Sequence, residues 1–161
     1  MKGRLIPYPK PIGFNNNNNF HKLNENGLSK AYNNHNKIHV ENDTLYIAGT
    51  SDLNDVYDDI TKIPIWGSIK GSQRYNQAKT ALDSNHNITK IIGHSLGGSV
   101  ALEFEKNNPK YNTTTYGAPV LQNGTKIGNR YRFPYDPVSY LDNGAITVDK
   151  FNINPHSYYN Y

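Results

Sequence analysis

The stretch Gly93-His94-Ser95-Leu96-Gly97 has the residue types and spacing to carry out nucleophilic chemistry. A nucleophilic serine stands on a tight turn from a strand into a helix, which presents its hydroxyl at the tip. The residues two before and two after it approach each other across the turn, so both must be small. Gly93 and Gly97 meet that demand, and Gly98 lets the helix lie close to the sheet. The helix start would aim backbone N–H groups and a positive dipole end at the space beside Ser95. The matching reaction is acyl transfer, which needs a base, an acid that orients it, and at least two donors for the oxyanion.

For this kind of elbow the partners follow in chain order, the acid and then the histidine. His156 is the one histidine after Ser95 and is therefore the candidate base. His21, His35, His39 and His86 precede the turn and read as exposed or loop residues, and His94 reads as a packing or hydrogen-bonding residue. Glu103 and Glu105 fall in the helix leading away from Ser95, where their carboxylates cannot easily reach the base. Asp136 follows an expected strand, Arg130 to Phe133, and its Pro134-Tyr135 turn, where an orienting carboxylate belongs. Asp142 and Asp149 are the runners-up, the former inside a ready turn sequence, Asp142-Asn143-Gly144. The first oxyanion donor is the amide after the nucleophile, Leu96. The second should come from a loop after an earlier strand, and the Thr50 amide is the candidate.

The elements needed to position these groups are legible around them. Lys37 to Val40 and Thr44 to Gly49, joined by a turn at Glu41-Asn42-Asp43, predict a β-hairpin. Ser72 is suited to cap a helix from about Gln73 to Leu82, whose Tyr75, Ala78, Ala81 and Leu82 recur at helical spacing. Ile88 to Ile92 predicts a strand running into the Ser95 turn, and Leu96 to about Lys106 the helix after it. A strand over Thr113 to Tyr116 and another over Arg130 to Phe133 complete the series. Strands alternating with helices predict an α/β protein with a largely parallel central sheet, with functional loops at the carboxyl ends of its strands. Residues 52 to 60 read as a short acidic helix or loop. Residues 1–36, with Pro7, Pro9, Pro11 and the run Asn15 to Asn19, read as a polar extension or linker, leaving residues 37–161 as the folded domain.

Composition narrows the classes further. The 161 residues suit one domain. With no cysteine there is no disulfide framework, thiolate metal site or cysteine nucleophile. No run approaches the roughly 18 apolar residues of a membrane-spanning helix. The N-terminus lacks the apolar stretch of a secretory signal, so an intracellular or particle-associated protein is expected. The net charge of +4 tilts the surface towards anionic partners such as phospholipid headgroups. Lys and Arg are dispersed, with no dense basic stripe, so nucleic-acid binding is not expected.

Together these motifs resemble the class 3 lipase family of α/β-hydrolases. The matching residues are Ile47-Ala48-Gly49-Thr50 followed by Asp55 and Asp59, then Ile91 to Gly98 with Ala101 and Leu102, Tyr116-Gly117-Ala118-Pro119, Asp136-Pro137-Val138, and His156. The resemblance covers about Lys37 to His156. It implies an α/β-hydrolase-like fold and a serine carboxyl-ester hydrolase: a lipase, phospholipase or esterase acting on lipid or small esters. It further implies Ser95 as nucleophile, Asp136 and His156 as its partners, and the Thr50 and Leu96 amides as oxyanion donors. Asp59 would be the acidic residue that steadies the Thr50 hydroxyl. Neither a metal nor an organic cofactor is implied. Ile47 and Ala48 stand where the family usually has an aromatic and a basic residue, and the family's lid would correspond to Ser51 through Asp58. A relative that keeps the fold for lipid binding or a structural role, without catalysis, is the alternative.

Overall fold

The computed structural model describes residues 18–50, 69–119, 127–132 and 144–147. In chain order they form helix α1 (Asn18–Asn33), strands β1 (Ile38–Glu41) and β2 (Thr44–Ile47), helix α2 (Gln73–Ser84), strand β3 (Lys90–His94), helix α3 (Leu96–Asn107), and strands β4 (Asn112–Tyr116), β5 (Asn129–Arg132) and β6 (Ile146–Thr147). The fold is mixed α/β. The six strands among the described residues make one sheet in sequence order, with β1 antiparallel to β2 and every later pair parallel.

The expected hairpin is present: Ile38 pairs with Ile47 and Glu41 with Thr44. Asn42 makes its turn at φ 54°, a conformation that Asn tolerates better than most residues. Ser72 caps α2 by accepting a hydrogen bond from the Tyr75 N–H at 3.2 Å. The short strand β6 was not foreseen. The acidic stretch 52–60 lies outside the described residues.

Side chains alternate across the sheet and build a core on each face. Leu45, Ile47 and Ile91 meet Ala78 and Leu82 of α2 and Leu96, Val100, Ala101 and Phe104 of α3. Having both helices on this face is what right-handed crossovers between successive neighbouring strands require. Tyr46, Ala48, Ile92 and Tyr116 point the other way and are covered by Leu28, Ala31 and Tyr32 of α1.

That second layer corrects the reading of residues 1–36 as a polar extension where they are described, from Asn18 on; Asn15 to Asn17 lie outside the described residues, and Asn19 is exposed. Residues 18–33 are a helix, Leu28 and Ala31 are fully buried, and Gly27 is a close-approach point where any Cβ would strike the Tyr46 ring. The helix ends where the Lys37 ammonium donates to the Tyr32 carbonyl at 2.6 Å, neutralising the carbonyl end of its dipole. The polar residues of α1 that face the sheet are partnered. Asn24 is buried and donates to the Tyr116 hydroxyl at 2.9 Å, and the His21 Nδ1 shares a hydrogen bond with the same hydroxyl at 2.8 Å.

His21 is therefore half-buried instead of exposed. Burial lowers its pKa below the usual 6.5, against a weaker upward pull from Glu25, while the Tyr116 and Tyr131 rings pack edge-on to it. The unfolded chain then binds the proton more readily than the folded one, so this residue's contribution to stability falls as pH drops below the unfolded value. Thermal melts from about pH 7.5 to about pH 5.5 should show the wild type losing more stability than His21→Asn. Equal pH slopes in the two proteins would contradict this role.

Candidate active site

β3 ends at His94 and α3 begins at Leu96, so Ser95 alone makes the turn between them. Its backbone sits at φ 52°, ψ −125°, a combination that costs a residue with a Cβ roughly 1–3 kcal/mol. The turn is clamped from both sides. The Ser95 N–H donates to the Tyr116 carbonyl at 2.9 Å on neighbouring β4, and the Ser95 carbonyl accepts from the Gly98 N–H at 2.9 Å.

The surrounding glycines are required by packing. A Cβ on Gly93 would strike the Gly97 carbonyl and stand 2.6 Å from the Gly98 Cα. One on Gly97 would run into the Ile47 carbonyl of β2 and come within 2.8 Å of the Ala48 oxygen. One on Gly98 would meet the Ala118 Cβ at 2.6 Å. Their absence lets α3 begin directly over the strand ends, with Ser95 only 7% exposed. A serine at a helix N-cap ordinarily uses its hydroxyl to accept an N–H of the first turn, and Ser95 makes no such bond. Leu96 is the first residue of α3, so its amide has no acceptor within the helix.

The Gly49-Thr50 segment leaves the carboxyl end of β2 alongside this turn. A Cβ on Gly49 would lie 2.8 Å from the Ser95 Cβ and 3.0 Å from the His94 carbonyl oxygen. Ser95, Leu96, Gly93, Gly97 and the residue preceding Thr50 are thus brought together at the carboxyl edge of the sheet. The segment Gly117-Ala118-Pro119 lines the same edge after β4, tied to α3 by the Ser99 hydroxyl, which donates to the Pro119 carbonyl at 2.6 Å. Asp136, His156 and Asp59, together with the runners-up Asp142 and Asp149, lie outside the described residues.

Two further residues at this edge carry no motif in the sequence. The hydroxyl of Tyr32, a residue only 3% exposed, accepts the Gly49 N–H at 3.0 Å and shares a hydrogen bond of 2.5 Å with the His94 Nδ1. His94 is buried, in line with its expected hydrogen-bonding role. From α2, the Arg74 guanidinium donates to the Ala48 carbonyl at 2.8 Å. Tyr32 had a readable signal in its helical spacing from Leu28 and Ala31; Arg74 had none. Glu105, set aside as an acid, is engaged elsewhere: its carboxylate accepts from the Thr113 hydroxyl and the Gly128 N–H, joining α3 to β4 and to the start of β5.

No group of three or more His, Cys, Asp or Glu side chains among the described residues could hold a metal ion. No protein-family model matches the chain, and comparison with curated proteins and with solved structures returns no match.

Proposed function

We propose that this protein is a serine carboxyl-ester hydrolase with an α/β-hydrolase-like site, related in kind to the class 3 lipases. The observation that carries the reading is the backbone of Ser95, held at φ 52°, ψ −125° in a strand-to-helix turn with its hydroxyl unused as a helix cap. A structural serine gains nothing from that conformation, whereas a nucleophile needs it to stand clear of the turn.

In the proposed reaction the Ser95 oxygen attacks the ester carbonyl carbon while His156 takes the hydroxyl proton. Asp136 fixes the tautomer and orientation of the imidazole. Asp136 follows Arg132 at the carboxyl end of β5 by four positions, a tether of at most about 14 Å. The oxyanion rests on the Leu96 and Thr50 amides, each worth roughly 10²–10³ in rate, and Asp59 steadies the Thr50 hydroxyl. His156 protonates the departing alcohol, then activates the water that releases the acid and restores Ser95. The scheme uses no metal or cofactor. Lipid or small esters are the substrates, and the charge of +4 favours peripheral contact with an anionic lipid surface.

The test is intact-mass analysis after treatment with a fluorophosphonate, alongside hydrolysis of short- and long-chain esters. One adduct on the wild type, absent from Ser95→Ala and His156→Ala, is expected. A folded protein that neither labels nor hydrolyses would overturn the enzyme reading and leave lipid binding or a structural role.

A further inference from the structure

The Ala48 carbonyl and the Gly49 N–H belong to a single peptide unit, planar and with its two polar ends pointing in opposite directions. Each end is held by a side chain from a different helix. Arg74 of α2 donates to the carbonyl at 2.8 Å, and the Tyr32 hydroxyl of α1 accepts the N–H at 3.0 Å. These helices lie on opposite faces of the sheet, so the peptide is gripped from above and below. Rotating it by half a turn would break both bonds and leave two polar groups without these partners in a closely packed place. The orientation of this unit sets the direction in which the chain proceeds to the next amide, that of Thr50.

The Tyr32 hydroxyl also bonds to His94, the residue immediately before Ser95. One oxygen therefore ties the Gly49-Thr50 loop to the turn that presents the nucleophile and the Leu96 amide. Gly49 must be glycine for this contact, because a Cβ there would sit 3.0 Å from the Tyr32 oxygen and 2.8 Å from the Ser95 Cβ.

We infer that Tyr32 and Arg74 are positioning residues that keep the oxyanion hole preformed, by locking the Ala48–Gly49 peptide against the Ser95 turn. The inference rests on the hydrolase reading for its kinetic consequence but not for its structural one. A hole assembled in advance requires no reorganisation when charge develops on the substrate oxygen, so its loss is felt in the transition state and not in substrate binding.

The test compares wild type, Tyr32→Phe, Arg74→Met and Asn24→Ala. Tyr32→Phe keeps the ring packed and removes only the hydroxyl. Asn24→Ala breaks a different buried hydrogen bond of the same helix and serves as the control for stability. With p-nitrophenyl butyrate, Tyr32→Phe should lower kcat about 10–100-fold with KM nearly unchanged, as small misplacements of catalytic groups do. Arg74→Met should act in the same direction. A trifluoromethyl ketone, whose adduct with serine bears an oxyanion, should bind Tyr32→Phe more weakly by a matching factor. Asn24→Ala should lower Tm and leave kcat in place. The Gly49 amide should also exchange its hydrogen at least tenfold faster in Tyr32→Phe than in wild type or Asn24→Ala. Unchanged kcat and ketone affinity in an active wild type, or losses that merely follow Tm, would overturn the inference. If the wild type is inert to esters and fluorophosphonate, the hydrolase reading fails. The exchange rate then decides the locking alone, and equal rates at Gly49 would refute it.

Discussion

Ser95→Gly should abolish ester turnover and at the same time make the protein more stable. Gly adopts positive φ without the steric conflict that a Cβ meets, which returns part of the roughly 1–3 kcal/mol stored at φ 52°, ψ −125°. Part of that gain is offset because glycine adds freedom to the unfolded chain, by about 0.4–1 kcal/mol. The expected net effect is about +1 kcal/mol, which for a chain of this size raises Tm by roughly 2–4 °C. Ser95→Ala separates the two effects. It removes the nucleophile but keeps the Cβ and its strain. Because the Ser95 hydroxyl makes no cap bond, the usual penalty of about 1 kcal/mol for losing an N-cap serine should not appear. Both variants should lose at least about 10⁴-fold in kcat/KM. Differential scanning calorimetry beside an ester assay reads all of this. A Ser95→Ala protein that melts well below wild type would mean that the hydroxyl is structural, and retained turnover in either variant would place the nucleophile elsewhere.

Residues 37–50 and 72–116 were legible because local signals there agree with one another. The β-branched and apolar strands flank a hairpin turn with Asn at positive φ, and Ser72 caps α2 as expected. The elbow could be read almost residue by residue, since each of its glycines answers a specific close approach. The helix α1 was obscured by composition. Its N-terminal end lies in the asparagine run, and the apolar residues that bury it, Leu28, Ala31 and Tyr32, are few and separated by polar ones. Two of its inward-facing residues, His21 and Asn24, are polar and meet Tyr116, so the apolar stripe that marks a core helix is broken where it touches β4. Hydrogen-bond partners such as Tyr32 with Gly49, or Arg74 with Ala48, depend on tertiary approach between distant segments. No spacing rule foretells them.

Deleting residues 1–33 should yield a chain that cannot form a stable native domain. Among the described residues α1 is the element that covers Tyr46, Ala48, Ile92 and Tyr116, and its removal exposes them together while leaving the hydroxyl of Tyr116 without Asn24 and His21. A parallel sheet is stable only with both faces covered, and an open apolar face of this kind promotes association. The graded version of the experiment is Leu28→Ala. Leu28 is fully buried, so truncation should cost about 2–5 kcal/mol, a large share of the 5–15 kcal/mol that holds a typical domain together. Tm should then fall by at least roughly 4 °C. The two results are linked through Tyr32, which α1 carries to the Gly49 amide: a helix that leaves the sheet withdraws that hydroxyl from the loop beside Ser95. Near-ultraviolet circular dichroism and melting cooperativity distinguish the outcomes. If the chain without residues 1–33 keeps its aromatic signal and a sharp melt, α1 is an accessory to the sheet, and the Gly49-Thr50 loop must be held by other contacts.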